Sequence, residues 1–327
     1  MPPSNSVNLA NIPPEILGQI LMFHLEALGR AEFMRELGSV FLTCKYWNAV
    51  VSSIPELWCD IEVALDSRIK LPFLSIAAIK SWSSRSKGLP LNLVISFQHL
   101  GRSVDSSDGR RYAEVAFELF LAQLVRWRSV SLNFGPRFCA TLTSSLHAGA
   151  IAPLLETIDV MFNTWSGVCK HWYLSLYAAA PSLRNYISRG PHGADFLPHP
   201  FPWDQLSHFH VESALDPRTI LRMLKKASSL QTCHFVLQYP SYIPMISVSQ
   251  NGPSQLVNSP IRCMSLRFFY TPQKCSLLTP DLLLTPNLED FEVRFPSHSP
   301  DPNPSTIFCI HTSRGFTRPC SPSRHTT

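Results

Sequence analysis

Cysteine and histidine lie close together at three places in this chain, and thiolate and imidazole groups are the usual ligands of zinc. The three pairs are Cys169 with His171, Cys233 with His234, and Cys309 with His311. A structural zinc site takes about four ligands, commonly as two closely spaced pairs. The three pairs are roughly 60 to 140 residues apart in the sequence, and no C-x-x-C occurs. We therefore expect structural roles for them and predict no metal site.

The sequence gives no more support for acid–base catalysis than for a metal site. Carboxylates such as Glu114, Glu118, Asp159 and Asp290 are scattered, and the sequence does not bring any two together. His208 and His210 flank Phe209 on a predicted strand, so they share the face opposite to it. That face is either an exposed structural one, which we favour, or one that contacts a substrate.

Motifs of the common enzyme classes are missing from the sequence. It contains no G-x-x-x-x-G-K-S/T, G-x-G-x-x-G, G-x-S-x-G or H-E-x-x-H. We predict a protein that is not an enzyme and needs no cofactor. An enzyme hidden in the C-terminal part stays as an alternative, and a deep pocket lined by convergent polar groups would reveal it.

Composition indicates a folded chain built from many short elements. Of the 327 residues, 45% are hydrophobic and 16% are charged, which allows a sizeable core, and the 28 prolines favour frequent turns. The net charge is +5, yet residues 1–62 hold three Lys/Arg against seven Asp/Glu. Because no basic run with interleaved aromatic residues occurs, we predict no nucleic-acid partner, and binding of DNA by a helix-turn-helix is a weak option.

The chain has nine cysteines, and their wide spacing favours reduced thiols. The sequence has no apolar signal core, and no apolar stretch approaches the ~20 residues that a membrane span needs. We therefore expect a soluble protein of the cytoplasm, the nucleus or both.

The elements that must carry any function begin with a very apolar helix after residue 12. Pro14 and Glu15 suit a first helical turn, and Ile16, Leu17, Ile20 and Leu21 give the helix a wide apolar face. A second helix is predicted from the helical spacing of residues between Leu37 and Val51, and a short strand over 56–63.

Three blocks in this region resemble the F-box, a module of roughly forty to fifty residues. They are IPPEILGQIL at 12–21, TCKYWNAV at 43–50 and PELW at 55–58. Ile12-Pro13 replaces the usual Leu-Pro, which is a mild departure. The resemblance implies docking onto a Skp-type adaptor and, through it, onto a cullin-based ubiquitin ligase. By the match, the contact residues are Ile12, Pro13, Ile16, Leu17, Ile20, Leu21 and Trp47.

Physical reasoning agrees, because three short helices cannot bury all their apolar faces among themselves. Apolar helix anchors in a groove are a known recognition mode. The alternative is that this face packs on the C-terminal part of the same chain. For Trp47 and Phe41 taken singly, a core role is at least as well supported as docking.

From residue 58 onward the chain shows a repeated apolar pattern at i, i+3 and i+5. Its first positions are Trp58, Pro90, Trp127, Leu155, Leu183, Leu206, Leu230, Ile261 and Leu288, and the two at 58 and 90 are weaker matches. Pro-x-Leu followed by a charged residue leads into three of the triplets, at 153, 181 and 286. Segments between them can hold one helix each, most clearly 216–226 and, earlier, 76–82.

This pattern resembles a degenerate leucine-rich repeat array, with one short parallel strand and one helix or turn per unit. The order of F-box, then LPLNLVI, then irregular repeats also resembles F-box proteins of mushroom-forming fungi. An irregular α/β domain with unstacked strands is the alternative. The predicted fold class is thus α/β: a three-helix F-box followed by an irregular, leucine-rich-repeat-like solenoid of short parallel strands and helices.

The predicted domains follow from these elements. They are a disordered start at 1–10, the F-box-like module at 11–62, a connecting segment and first strand at 63–100, the repeat-like domain at 101–296 and a proline-rich, disordered tail at 297–327. We expect a substrate-recognition adaptor whose protein substrate is unknown. The rival within the same family is an F-box protein with a structural or regulatory role outside ubiquitin ligation.

Overall fold

The structure is a computed structural model of the 327-residue chain. It describes residues 12–28, 30–65, 74–97, 107–135, 138, 150–162, 167–189, 201–215, 217–237, 260–268, 289–294 and 307–311. The predicted disordered start at 1–10 and most of the predicted tail at 297–327 lie outside these residues.

The N-terminal helix α1 runs over Pro14–Glu26. Pro13 occupies the N-cap with extended backbone angles, and Pro14 takes the first helical position, where a missing N–H has no intrahelical partner to lose. Glu15 places a carboxylate in the first turn, at the positive end of the helix dipole.

Two helices, α2 (Arg30–Thr43) and α3 (Lys45–Ser53), replace the single second helix predicted from the periodicity. The break is at Cys44, whose backbone is extended at φ −160° and ψ 167°. Its Sγ accepts a hydrogen bond from the Trp47 N–H at 3.5 Å. Cys44 therefore acts as the N-cap of α3, which periodicity alone does not reveal because the apolar spacing continues across it.

The predicted strand over 56–63 begins later than expected. A 3₁₀ helix occupies Pro55–Trp58, and strand β1 covers Asp60–Ala64. Pro55 favours the helical turn because its ring fixes φ and it has no N–H to leave unbonded.

Beyond β1 the chain alternates strands and helices. The helices are α4 (Ile76–Arg85), α5 (Ser107–Leu121), α6 (Gly167–Ala178) and α7 (Pro217–Lys226), with short 3₁₀ helices at Leu124–Arg126 and Trp203–Gln205. The strands are β2 (Leu91–Phe97), β3 (Trp127–Phe134), β4 (Thr157–Phe162), β5 (Asn185–Arg189), β6 (His208–Leu215), β7 (Thr232–Leu237), β8 (Cys263–Phe268), β9 (Asp290–Arg294) and β10 (Ile307–His311).

All ten strands form one open sheet in the order of the sequence. Strands β1 to β9 pair in parallel, and β10 closes the row antiparallel to β9. The described part of the chain is thus α/β, with helices at its N-terminus followed by an open, parallel sheet.

Each predicted apolar triplet corresponds to one parallel strand. The i+3 residues stand side by side in register across the sheet: Ile61, Leu93, Val130, Ile158, Tyr186, Phe209, Cys233, Met264 and Phe291. From β1 to β8 these residues are buried. The triplets therefore mark the parallel strands, while the register between the strands, which the sequence pattern leaves open, comes from the structure.

Helices cover one face of this sheet. Ile79 of α4, Phe117 of α5, Tyr173 of α6 and Met223 of α7 belong to the same buried apolar cluster as the i+3 residues of the strands. On the opposite face, the residues at i+2 and i+4 of each triplet alternate with the buried ones and are half-buried or exposed. That face is the open one.

Two segments are more ordered than their composition predicts. Helix α5 begins at Ser107, inside the stretch GRSVDSSDG at 101–109, whose small and polar residues favour a surface loop. Strand β10 lies inside the predicted 297–327 tail. Its sequence, IFCIH, is rich in β-prone residues, and pairing with β9 supplies backbone hydrogen bonds that composition cannot show.

Candidate functional site

Helix α1 carries two apolar stripes, and only one of them is covered. Leu17, Leu21 and Leu25, spaced four residues apart, are between 1% and 4% exposed and form part of a small apolar core with α2 and α3. A second stripe faces outward. Its residues are Ile16, Ile20 and Phe23, which are 48%, 52% and 80% exposed. We call these three residues the outer stripe.

A groove runs beside the outer stripe, between α1 and the end of α3. It has a volume of about 640 Å³, and its lining includes Pro14, Gly18, Met22, Phe23 and Ile54. Gly18 allows the close approach of these two segments, because a Cβ at this position would lie 3.2 Å from Cδ1 of Ile54.

The predicted adaptor contacts fall into two groups in the structure. Pro13, Ile16 and Ile20 are exposed, whereas Leu17 and Leu21 are buried in the chain's own core. Ile12 and Trp47 are half-buried and pack against that core, and the Tyr46 hydroxyl donates a hydrogen bond to the Ile12 carbonyl. Leu17 and Leu21 thus offer no surface to a partner, while the outer stripe gains Phe23, which the sequence motif does not single out.

The open face of the sheet is the second candidate surface. Two rows of side chains cross it, at positions i+2 and i+4 of each apolar triplet. The i+2 row is Asp60, Asn92, Ser129, Thr157, Asn185, His208, Thr232, Cys263 and Asp290, and the i+4 row is Glu62, Val94, Ser131, Asp159, Ile187, His210, His234, Ser265 and Glu292. Five of these positions carry carboxylates and none carries Lys or Arg.

Between the two rows lies a cavity of about 360 Å³ that crosses strands β5 to β9. We call it the open-face trough. One wall consists of His208, Thr232, Cys263 and Asp290, and the other of Ile187, His210, His234, Ser265 and Glu292. The residues between the walls form the floor, and they are Tyr186, Phe209, Cys233 and Met264.

Within each wall, side chains of neighbouring strands contact one another. His208 hydrogen-bonds to the Thr232 hydroxyl, the His210 and His234 rings lie 4.2 Å apart between centroids, and the Ser265 hydroxyl donates to Glu292 at 3.2 Å. The placement of His208 and His210 on the face opposite to Phe209 is as predicted.

Ionisation of the groups near the trough follows from burial and from its carboxylates. Burial is the main cause that lowers the pKa of His210, partly offset by Glu212, whose carboxylate lies 3.4 Å from His210 Nε2. Partial burial and then the carboxylates of Asp290 and Glu289 raise the pKa of the Cys263 thiol. Burial raises the pKa of the Cys233 thiol well above its ordinary value. In the N-terminal module, burial raises the pKa of the Cys59 thiol to about 11. These three thiols are protonated at neutral pH and are poor nucleophiles.

Metal binding finds no support among the residues that the structure describes, since no three of their His, Cys, Asp or Glu side chains are placed to hold an ion. Cys233 is buried in the apolar core, which agrees with the structural role predicted for it. The structure does not describe the side chains of the other two pairs, Cys169 with His171 and Cys309 with His311. Glu114 pairs with Arg110 at 2.9 Å and Asp159 with Arg189 at 3.3 Å, so these two carboxylates have structural partners. No described helix is both long and apolar enough to cross a membrane.

Residues 9–63 match the family model described as F-box-like. The chain carries an F-box-like domain. This stretch comprises α1 to α3, the 3₁₀ helix and most of β1, and it contains both stripes of α1. A search of curated proteins finds no match to the chain. The match supports an F-box protein, a class whose F-box domains generally bind Skp1-type adaptors.

The sequence motifs do not indicate the open-face trough, although the triplets carry a signal for it. Because the i+3 and i+5 residues of each triplet face the core, the residues at i+2 and i+4 lie on the open face. Reading those positions across the triplets would have placed His208, His210, His234, Asp290 and Glu292 in two adjacent rows.

Proposed function

We propose that this protein is the substrate-recognition adaptor of a Skp–cullin–F-box ubiquitin ligase. The F-box-like domain binds the Skp-type adaptor, and the sheet, a degenerate leucine-rich-repeat-like array, binds a protein substrate. The chain itself is not an enzyme and needs no cofactor. It works in the cytoplasm, the nucleus or both, with no nucleic-acid or membrane partner.

The observation that carries this proposal is the outer stripe on α1 of an F-box-like domain. Ile16, Ile20 and Phe23 lie at i, i+4 and i+7, so they project from one side of the helix. Complete burial of an Ile or Phe side chain contributes roughly 1.5–3 kcal/mol. Because these side chains are about half or more exposed, a partner that covers them gains a large part of that free energy.

Bringing a substrate to a ligase is a proximity effect. The adaptor holds the substrate's lysines near the charged ubiquitin carrier and thereby raises their effective concentration. No catalytic group is required of this chain for that role.

The test is the double substitution Ile16→Asp/Ile20→Asp in the full chain. Two carboxylates in an apolar interface would be desolvated without partners, so we expect capture of a Skp-type adaptor to fall at least about 100-fold. The fold should be retained because both positions are exposed. Leu17→Asp is unsuitable, because it would place a charge in the module's own core.

A matched control is Val125→Asp/Ile151→Asp, which alters two similarly exposed apolar residues, at 51% and 58%, near the sheet. The measurement is co-purification followed by size-exclusion chromatography, with circular dichroism to monitor folding. Unchanged capture by Ile16→Asp/Ile20→Asp would contradict the proposal. Cullin in the wild-type complex supports the ligase role, and its absence favours a structural or regulatory F-box protein.

A further inference from the structure

The open-face trough has the dimensions of a site for an extended peptide. It crosses five adjacent strands, β5 to β9. Parallel strands lie about 4.8 Å apart, so the trough is about 19 Å long. An extended chain advances ~3.3 Å per residue, and about six residues therefore fill this length.

The end of the trough at β9 is acidic on both walls. Asp290 stands on one wall and Glu292 on the other, and they are separated by one residue of the same strand. Burial first, and then the carboxylates of Asp290 and Glu289, raise the pKa of the neighbouring Cys263 thiol, and Arg262 offsets part of this effect. Among the described residues that line the trough, none is Lys or Arg.

The middle of the trough offers hydroxyl and imidazole groups. His208, Thr232 and His234 stand between the acidic end and Ile187 at the β5 end. Because burial lowers the pKa of His210, its ring is neutral at pH 7 and does not oppose a cationic ligand. Hydroxyl and imidazole groups can donate to and accept from the peptide groups of an extended chain.

We propose that the open-face trough binds an extended segment of a partner protein that places a lysine or arginine side chain between Asp290 and Glu292. The proposal deepens the proposed function, on which it rests for assigning the sheet to substrate recognition. Charge complementarity selects this occupant, because carboxylates on opposite walls stabilise a cationic side chain held between them. Nucleic acid is disfavoured, since its phosphates would be repelled from the same carboxylates.

The probe is a library of N-acetylated hexapeptides, randomised at every position and passed over the immobilised full chain. Retained peptides are sequenced by mass spectrometry. We expect enrichment of Lys or Arg at one position, and we expect the enriched peptide to bind in fluorescence anisotropy about 5- to 30-fold more tightly than its norleucine counterpart. This comparison changes only the peptide, so it does not depend on how a protein variant folds.

The protein variant is Asp290→Asn/Glu292→Gln, and the control is Glu118→Gln/Asp204→Asn. The control residues are exposed and lie outside the trough, and both double substitutions remove the same charge. We expect the first variant to lose the preference for the basic side chain and the control to keep it. The proposal is overturned by enrichment of acidic residues, by no charge preference, or by equal loss of preference in both variants.

Adaptor capture is measured separately on the same proteins. Asp290→Asn/Glu292→Gln should capture the adaptor normally, because the outer stripe is on another element. A chain that binds the basic peptides but no adaptor would refute the proposed function alone. A chain that captures the adaptor but shows no preference for basic peptides would refute the trough proposal alone.

Discussion

Trp58 packs edge-on against Trp82, with ring centroids 5.1 Å apart and ring planes at 83°. Trp58 belongs to the buried core of the F-box-like domain, while Trp82 lies on α4, beside the sheet. Trp82 packs against the cores of both parts. On the same side, the Arg85 guanidinium lies 4.5 Å from the centroid of the Trp58 ring and 5.0 Å from that of Phe41. These aromatic and cation–π contacts connect the F-box-like domain to the sheet.

Trp82→Ala should therefore weaken the coupling between the two cores. We expect a loss of about 2–3 kcal/mol in the free energy of unfolding, less than for a fully buried tryptophan because Trp82 is half-buried. Differential scanning calorimetry should change from one cooperative transition to two. Trp82→Phe is the matched control and should keep a single transition. A single transition at the wild-type temperature in Trp82→Ala would contradict the role of this contact.

Arg126 binds the turn between α4 and β2. Its guanidinium donates to the Leu89 carbonyl from Nε at 3.0 Å and from Nη2 at 2.8 Å, and to the Ser86 hydroxyl at 2.6 Å. This turn contains Gly88 at φ +84°, a conformation that side chains with a Cβ rarely adopt. The planar guanidinium bonds both groups from two nitrogens in a fixed fork, whereas a lysine ammonium offers a single nitrogen on a flexible stem.

Arg126→Lys should lower the free energy of unfolding by about 1–2 kcal/mol. Arg128→Lys is the comparison, because Arg128 is exposed and pairs with Glu156 at 3.2 Å, so its replacement should cost less than about 0.5 kcal/mol. Urea unfolding at pH 7 measures both values. Equal effects in the two variants would show that the guanidinium geometry at Arg126 does not matter.

Much of the sheet was predictable because its pattern is local. Each apolar triplet marks one strand, and its i+3 residue faces the core, as Val130, Ile158 and Tyr186 do. The helix over 76–85 and the helix that starts at Pro217 were visible for the same reason. The register between the strands was not predictable, because the triplets recur at uneven steps and only the paired backbones of the sheet align them.

Other features depend on contacts that the sequence does not show. The α2–α3 break depends on the backbone at Cys44, and the division of α1 into a buried and an outer stripe depends on which side α2 and α3 cover. Ile16 and Leu17 are adjacent and equally apolar, yet one is 48% exposed and the other 1%. Periodicity gives the width of an apolar face, but only packing decides which part of it is left for a partner.

The stability of the sheet should depend on pH through His210. This residue is half-buried, its ring contacts that of His234, and the charged groups around it are Glu212, Arg189 and Asp159. Burial lowers the pKa of the folded imidazole below its ordinary value of 6.5, so the unfolded chain binds a proton more readily. The free energy of unfolding therefore falls as the pH drops below about 6.5. Asp159 gives the opposite slope at more acidic pH, because burial raises its pKa above 3.8.

His210→Gln removes the titrating ring and keeps a polar side chain. In urea unfolding at pH 7.5 and pH 5.5, we expect the wild type to lose more stability between the two pH values than His210→Gln does. His208→Gln, on the same strand, shows how far the removal of any imidazole from β6 alters this difference. If His210→Gln retained the full wild-type pH dependence, or if stability rose toward pH 5.5, the neutral, buried state assigned to His210 would be wrong.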